Sequence, residues 1–110
     1  MKTQKEICIK YGAIPFRPES EARLGIALDT LGTLPIHGVR HNPGDGTCGW
    51  YIWCGGEFPE DTDFFKPMHI SRVSRYIPEV ERFLALPPGY RFLIAGAHEN
   101  VWYDPELLDT

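Results

Sequence analysis

Nucleophilic catalysis in this chain has one source of parts, Cys48 or Cys54 with His41 or His69. A working centre needs a nucleophile, a base and a group that orients the base. No Gly-x-Ser-x-Gly elbow is present, and Ser20, Ser71 and Ser74 have no partner signature around them. The cysteines are therefore expected to pack as small apolar residues, and the histidines to hydrogen-bond loops. Metal chemistry would draw on Glu57, Glu60, Asp61 and Asp63, because hard cations need several oxygen ligands around one point. The calcium-loop pattern, with its central glycine and terminal glutamate, is missing. His37, His41, His69 and His98 show neither HxxxH nor HExxH spacing. No metal and no cofactor is expected. Gly44-Asp45-Gly46 reads as a turn, since no GxxxxGK[ST] or GxGxxG pattern follows a strand.

What stands beside the carboxylates is aromatic. Trp50, Tyr51, Trp53, Phe58, Phe64 and Phe65 place six of the chain's 14 aromatic residues within a short window. Aromatics supply contact area and carboxylates set the sign of the partner, so this combination points to recognition. The expected partner-binding residues are Glu57, Phe58, Glu60, Asp61, Asp63 and Phe64, meeting a basic protein surface. Trp50 is expected in the core, while Phe64 and Phe65 divide between anchoring the loop and touching the partner. The alternative is a small-ligand-binding or enzymatic domain whose cleft lies beside strand 49–54. His41, His69 and the carboxylates would line it.

These residues need a scaffold. Thr3, with Glu6 three positions later and Gly12 beyond, predicts a helix over 3–11 that shows Ile7 and Tyr11 on one face, Cys8 beside them. Pro15 and Pro18 hold the following segment extended. Alternation of Leu24, Ile26 and Leu28 predicts a strand over 23–29. Residues 34–40 make a second strand, with Pro35 at its start or on an edge. His41–Gly46 is a turn-rich loop. Residues 49–54 form the clearest strand, with Trp50, Ile52 and Cys54 on one face and Tyr51 and Trp53 on the other. Two apolar faces require a central strand, covered on both sides or leaving one face as a binding surface.

From Ile70 the period changes. Ile70, Val73, Ile77, Val80 and Leu84 follow helical spacing, and Pro78 either kinks the helix or opens a second one. Arg72, Arg75, Glu79 and Arg82 fall on the opposite, solvated side. Residues 90–94 and 101–103 predict a hairpin with its turn at Gly96–Asn100, and Asp104-Pro105-Glu106 starts a final helical turn whose Leu107 and Leu108 close over the core. The order indicates α+β: a single domain over residues 1–110, with a mostly antiparallel sheet of about five strands packed with two or three helices.

Composition narrows the partners. The chain has 110 residues, 43% hydrophobic and 24% charged, as globular domains do. Formal net charge is −4, and only Arg72, Arg75 and Arg82 resemble a basic stripe, so no nucleic acid is expected. No apolar run approaches the ~20 residues that span a bilayer, and no secretory h-region follows the first residues. No membrane partner is expected, and the expected compartment is the cytoplasm. Cys8, Cys48 and Cys54, an odd and irregularly spaced set, agree with that.

Several segments together carry a family likeness: Leu24-Gly-Ile-Ala-Leu-Asp-Thr-Leu-Gly32, Pro35-Ile-His-Gly-Val-Arg-His41, Thr47-Cys-Gly-Trp-Tyr-Ile-Trp-Cys-Gly55, Asp63-Phe-Phe-Lys-Pro-Met-His69, Leu86-Pro-Pro-Gly-Tyr-Arg-Phe-Leu-Ile94 and Val101-Trp-Tyr-Asp104. From about residue 20 onward the chain resembles a bacterial immunity-protein domain, class thirty-three of polymorphic-toxin systems, related to a former domain of unknown function. The resemblance implies a small cytoplasmic, non-catalytic protein that neutralises a cognate toxin by binding it. It implies no catalytic residues, because its motifs are structural and aromatic.

Overall fold

A computed structural model describes residues 3–19, 21–44, 46–56 and 65–108. The first element is α1 (Gln4–Lys10), and its N-terminus is closed by the expected capping box. Thr3 Oγ1 accepts from the Glu6 N–H, and Glu6 Oε1 accepts from the Thr3 N–H, both at 3.2 Å. Gly12 ends it at φ +69°, which lets the Ala13 N–H return to Cys8 O at 2.8 Å.

Six strands follow: β1 (Arg23–Ile26), β2 (Ile36–Arg40), β3 (Thr47–Cys54), β4 (Lys66–His69), β5 (Tyr90–Ala95) and β6 (His98–Tyr103). They form one mixed sheet in the order β4-β1-β3-β2-β5-β6, with β1 and β3 parallel and every other pair antiparallel. This corrects the expected count of about five strands to six, and the one parallel pair makes a sheet expected to be mostly antiparallel a mixed one. Alternation reports which side chains share a face but not the direction of a distant neighbour, so the parallel β1–β3 pair left no local trace. The extra strand is β4, four residues long with Pro67 inside it. As an edge strand paired only to β1, it tolerates that proline.

β1 is also shorter than expected. It stops at Ile26, and Leu28–Thr30 turns into a 3-10 helix. Thr30 drives the departure: its hydroxyl donates to Ala27 O at 2.7 Å and accepts from the Cys54 N–H at 2.9 Å. β2 begins just after a cis Leu34–Pro35 bond. The β5–β6 turn is tighter than the five residues expected, since Ala95 already pairs with His98 and Gly96 supplies φ +61°.

The helical layer covers one face of the sheet. α2 (Ile70–Tyr76) stops before Pro78, which opens a separate 3-10 helix over Pro78–Phe83. Val73, Ile77, Val80 and Leu84 are buried, as their spacing requires, against Ile7, Leu24, Trp50, Ile52 and Phe92. Ile70 is only partly buried. Arg72, Arg75 and Glu79 face solvent, but Arg82 is half-buried and reaches Glu99 at 3.8 Å. A short 3-10 helix at Pro105–Leu108 closes the described chain. Its Leu107 packs on the opposite side of the sheet, in a smaller cluster with Ala27, Val39 and Trp53.

Glu99 ties three elements together. Its carboxylate accepts from the Tyr11 hydroxyl at 2.6 Å and from Lys10 Nζ at 3.3 Å, beside Arg82. The Tyr11 bond, with Lys10 and Arg82 adding to it against the opposing effect of burial, holds this carboxyl below its usual range. A folded-state pKa below the unfolded one gives stability that is complete above the unfolded value, about 4.3. It is lost as pH falls through the depressed folded value. In urea unfolding, the advantage of the native chain over Glu99→Gln is expected to be full at about pH 6 and to fade below about pH 4.

Candidate functional site

β3 lies at the centre of the sheet and distributes its side chains as its sequence requires. Trp50, Ile52 and Cys54 enter the main core, and Tyr51 and Trp53 turn to the second face. There they build an aromatic assembly. His37 stacks on Trp53 with ring centres 4.7 Å apart and planes 11° from parallel. Tyr51 meets His41 and Phe65 edge-on at 5.4 and 5.3 Å. Two carbonyls fix the imidazoles: His37 Nε2 donates to Gly55 O at 2.8 Å, and His41 Nδ1 donates to Leu107 O at 3.0 Å. The face continues across β5 and β6, where Arg91 lies over the half-exposed Trp102 and pairs with Asp104 at 3.0 Å.

All six expected partner-binding residues, Glu57, Phe58, Glu60, Asp61, Asp63 and Phe64, lie outside the described residues. Their flanks are inside them. The Trp53 indole N–H donates to Gly56 O at 3.0 Å, and the Phe65 ring stands edge-on to Trp53 at 6.4 Å. Gly56 and Phe65, the residues on either side of the acidic stretch, thus both meet one tryptophan on the second face. Phe65 itself anchors to the sheet.

No hydrogen bond joins a cysteine to a histidine among the described residues. All three cysteines are free and buried, and burial pushes each thiol up, away from the reactive thiolate. His41 is committed to Leu107, whereas His69, at the C-terminal end of β4, stands in register with Arg23. No group of three or more metal-ligating side chains converges among the described residues.

A cleft of about 1000 Å³ does open beside β3, at the end where Thr47 and Cys48 enter the sheet. His69 lines it, but His41 does not. Its character comes instead from Arg17, Arg23, Arg40 and Arg72, with Glu19 and Glu21 also in its wall. Arg40 is buried at 1% exposure. Its Nε donates to Cys48 O at 3.0 Å, and its Nη1 to Phe16 O at 2.7 Å, Leu86 O at 2.8 Å and Leu84 O at 3.3 Å. The guanidinium also lies near the rings of Phe16 and Trp50. Sequence reasoning missed this set, because its members come from four separate segments. A single signal was available: Arg40 ends a strand whose other even-numbered residues, Ile36 and Gly38, face the core.

One mixed sheet with a helical layer on one face and an aromatic second face defines a small α+β domain, its distinctive side chains aromatic and basic. The chain belongs to the Imm33-like domain family, whose model matches residues 3–104, and it is an immunity-protein domain of that class. The match takes in every element from α1 to β6. No curated protein and no solved structure matches the chain. No helix among the described residues is long and apolar enough to cross a membrane.

Proposed function

We propose that this protein neutralises a cognate bacterial toxin in the cytoplasm by binding it directly, without catalysis. The observation that carries the reading is the family match over residues 3–104, in a chain whose acidic aromatic stretch is flanked by Gly56 and Phe65, both in contact with Trp53. Glu57, Phe58, Glu60, Asp61, Asp63 and Phe64 are the proposed contact, and a basic toxin surface is the proposed counterpart. Charge of opposite sign speeds encounter and fixes register, and the aromatic residues supply desolvated anchors.

Co-expression with a cognate toxin, sought first in the neighbouring gene, tests the function directly, with rescue of growth as the expected result. Failure of rescue alongside a soluble, folded chain overturns it. The contact is tested by the triple variant Glu60→Lys, Asp61→Lys, Asp63→Lys in binding kinetics. Association is expected to slow by about tenfold or more at low salt, with a smaller loss at high salt. Unchanged kinetics would remove this stretch from the interface.

A further inference from the structure

The cleft beside Thr47 and Cys48 holds a charge that no carboxylate among the described residues pairs with. Arg40 is 1% exposed, yet among the described residues its guanidinium meets only neutral acceptors, four backbone carbonyls and two aromatic rings. Nε and Nη1 make all of these hydrogen bonds, and Nη2 donates to none of the described residues. Carbonyl dipoles and ring faces solvate a cation but do not neutralise it, and buried charges are ordinarily paired.

The surroundings reinforce the imbalance. Ion pairs among the described residues join Lys10 and Arg82 to Glu99, and Arg91 to Asp104. Arg17, Arg23 and Arg72, which line the same cleft, have no carboxylate within pairing distance among those residues. Four arginines against two glutamates leave the described lining with a net charge of +2, in a chain whose formal net charge is −4.

Arg23 is placed for this wall by its neighbours. Its N–H donates to Gly46 O at 3.0 Å, and it pairs in register with Thr47 and His69. Its guanidinium passes over Gly46, where a Cβ would stand 3.0 Å from Nη2. Thr47, His69 and Ser71 add polar groups to the lining. A volume of about 1000 Å³ has room for more than an isolated ion.

We infer that this cleft binds the phosphate or carboxylate group of a small molecule, with Arg40 as the buried counter-charge and Arg23 and Arg72 as the outer contacts. The planar guanidinium fork matches both oxyanions, which is the chemistry they share. The site is independent of the toxin-binding reading, since none of its residues belongs to the acidic stretch.

The full chain is titrated with inorganic phosphate and, separately, with malonate, against sodium chloride at matched ionic strength. The Arg40 Nε–H signal and the amides of Thr47–Gly49 are followed by NMR, with the thermal midpoint measured in parallel. Saturable shifts at Arg40 and a raised midpoint are expected with at least one probe and not with chloride. The tighter of the two identifies the oxyanion. The double variant Arg23→Gln, Arg72→Gln changes exposed side chains and is expected to keep the ligand-free midpoint while weakening binding by about tenfold or more. The proposal is overturned if neither probe saturates, if chloride gives the same shifts, or if the double variant binds like the native chain.

Discussion

Replacing Arg40 with methionine is expected to lower the unfolding free energy by about 2–4 kcal/mol, because several carbonyls lose their donor while removal of an unpaired buried charge returns part of that loss. Methionine keeps most of the stem volume, so the loss isolates the guanidinium. Phe16, Cys48 and Leu86 each lose a donor at 3.0 Å or less. A buried acceptor left without a partner costs about 1–3 kcal/mol, and water entering from the cleft recovers part of it. Leu84 O is protected, because the Trp50 indole donates to it at 2.9 Å. Lysine at this position restores a charge but not the fork that spans separate carbonyls, so Arg40→Lys should recover only part of the stability. Urea unfolding of the three chains at one pH measures both differences. A loss below about 1 kcal/mol would mean that the carbonyls find other donors and that Arg40 is not the tie between β2, the Phe16 segment and the Leu84–Leu86 turn.

Gly49→Ala is expected to be comparably damaging for a different reason. Gly49 sits inside β3 at φ +95°, a conformation that L side chains rarely adopt. A Cβ there would collide with the His41 carbonyl oxygen, which is backbone and cannot swing aside. The position marks an irregularity: two steps along β1, from Arg23 to Gly25, match four along β3, from Thr47 to Tyr51. This bulge lets β3 pair with β1 on one side while His41 N–H still reaches Gly49 O on the other, at 2.9 Å. Strain and overpacking each cost about 1–3 kcal/mol, so a combined loss of about 3 kcal/mol or more is expected. Thermal unfolding checks it. Gly56→Ala serves as the control, because a Cβ at Gly56 meets nothing within 4 Å. A Gly49→Ala midpoint equal to that of the control would show that the bulge relaxes freely.

Where the signal was local, the sequence was legible. The Thr3–Glu6 box closes α1 because its two hydrogen bonds need only three intervening peptide units. Pro78 had two readings, a kink or a new helix, and the second holds because its ring fits a first turn. The two apolar faces of residues 49–54 marked a central strand, and β3 has neighbours on both sides. β4 escaped notice because Lys-Pro-Met-His is short, proline-bearing and mostly exposed, and only pairing with β1 makes it a strand. Leu28 kept the alternation of β1 going on paper. The Thr30 hydroxyl, bonded to Ala27 and Cys54, ends the strand before it.

By itself, then, the sequence determined most local elements, the core face of each helix and the family. Each of these is written in spacings of a few residues or in motifs read along the chain. The tertiary structure alone decided the parallel β1–β3 pair, the six-strand order and the meeting of Arg17, Arg23, Arg40 and Arg72 in one cleft. Those depend on contacts between segments far apart in the chain, and neither periodicity nor a net charge of −4 carries information about which distant residues become neighbours.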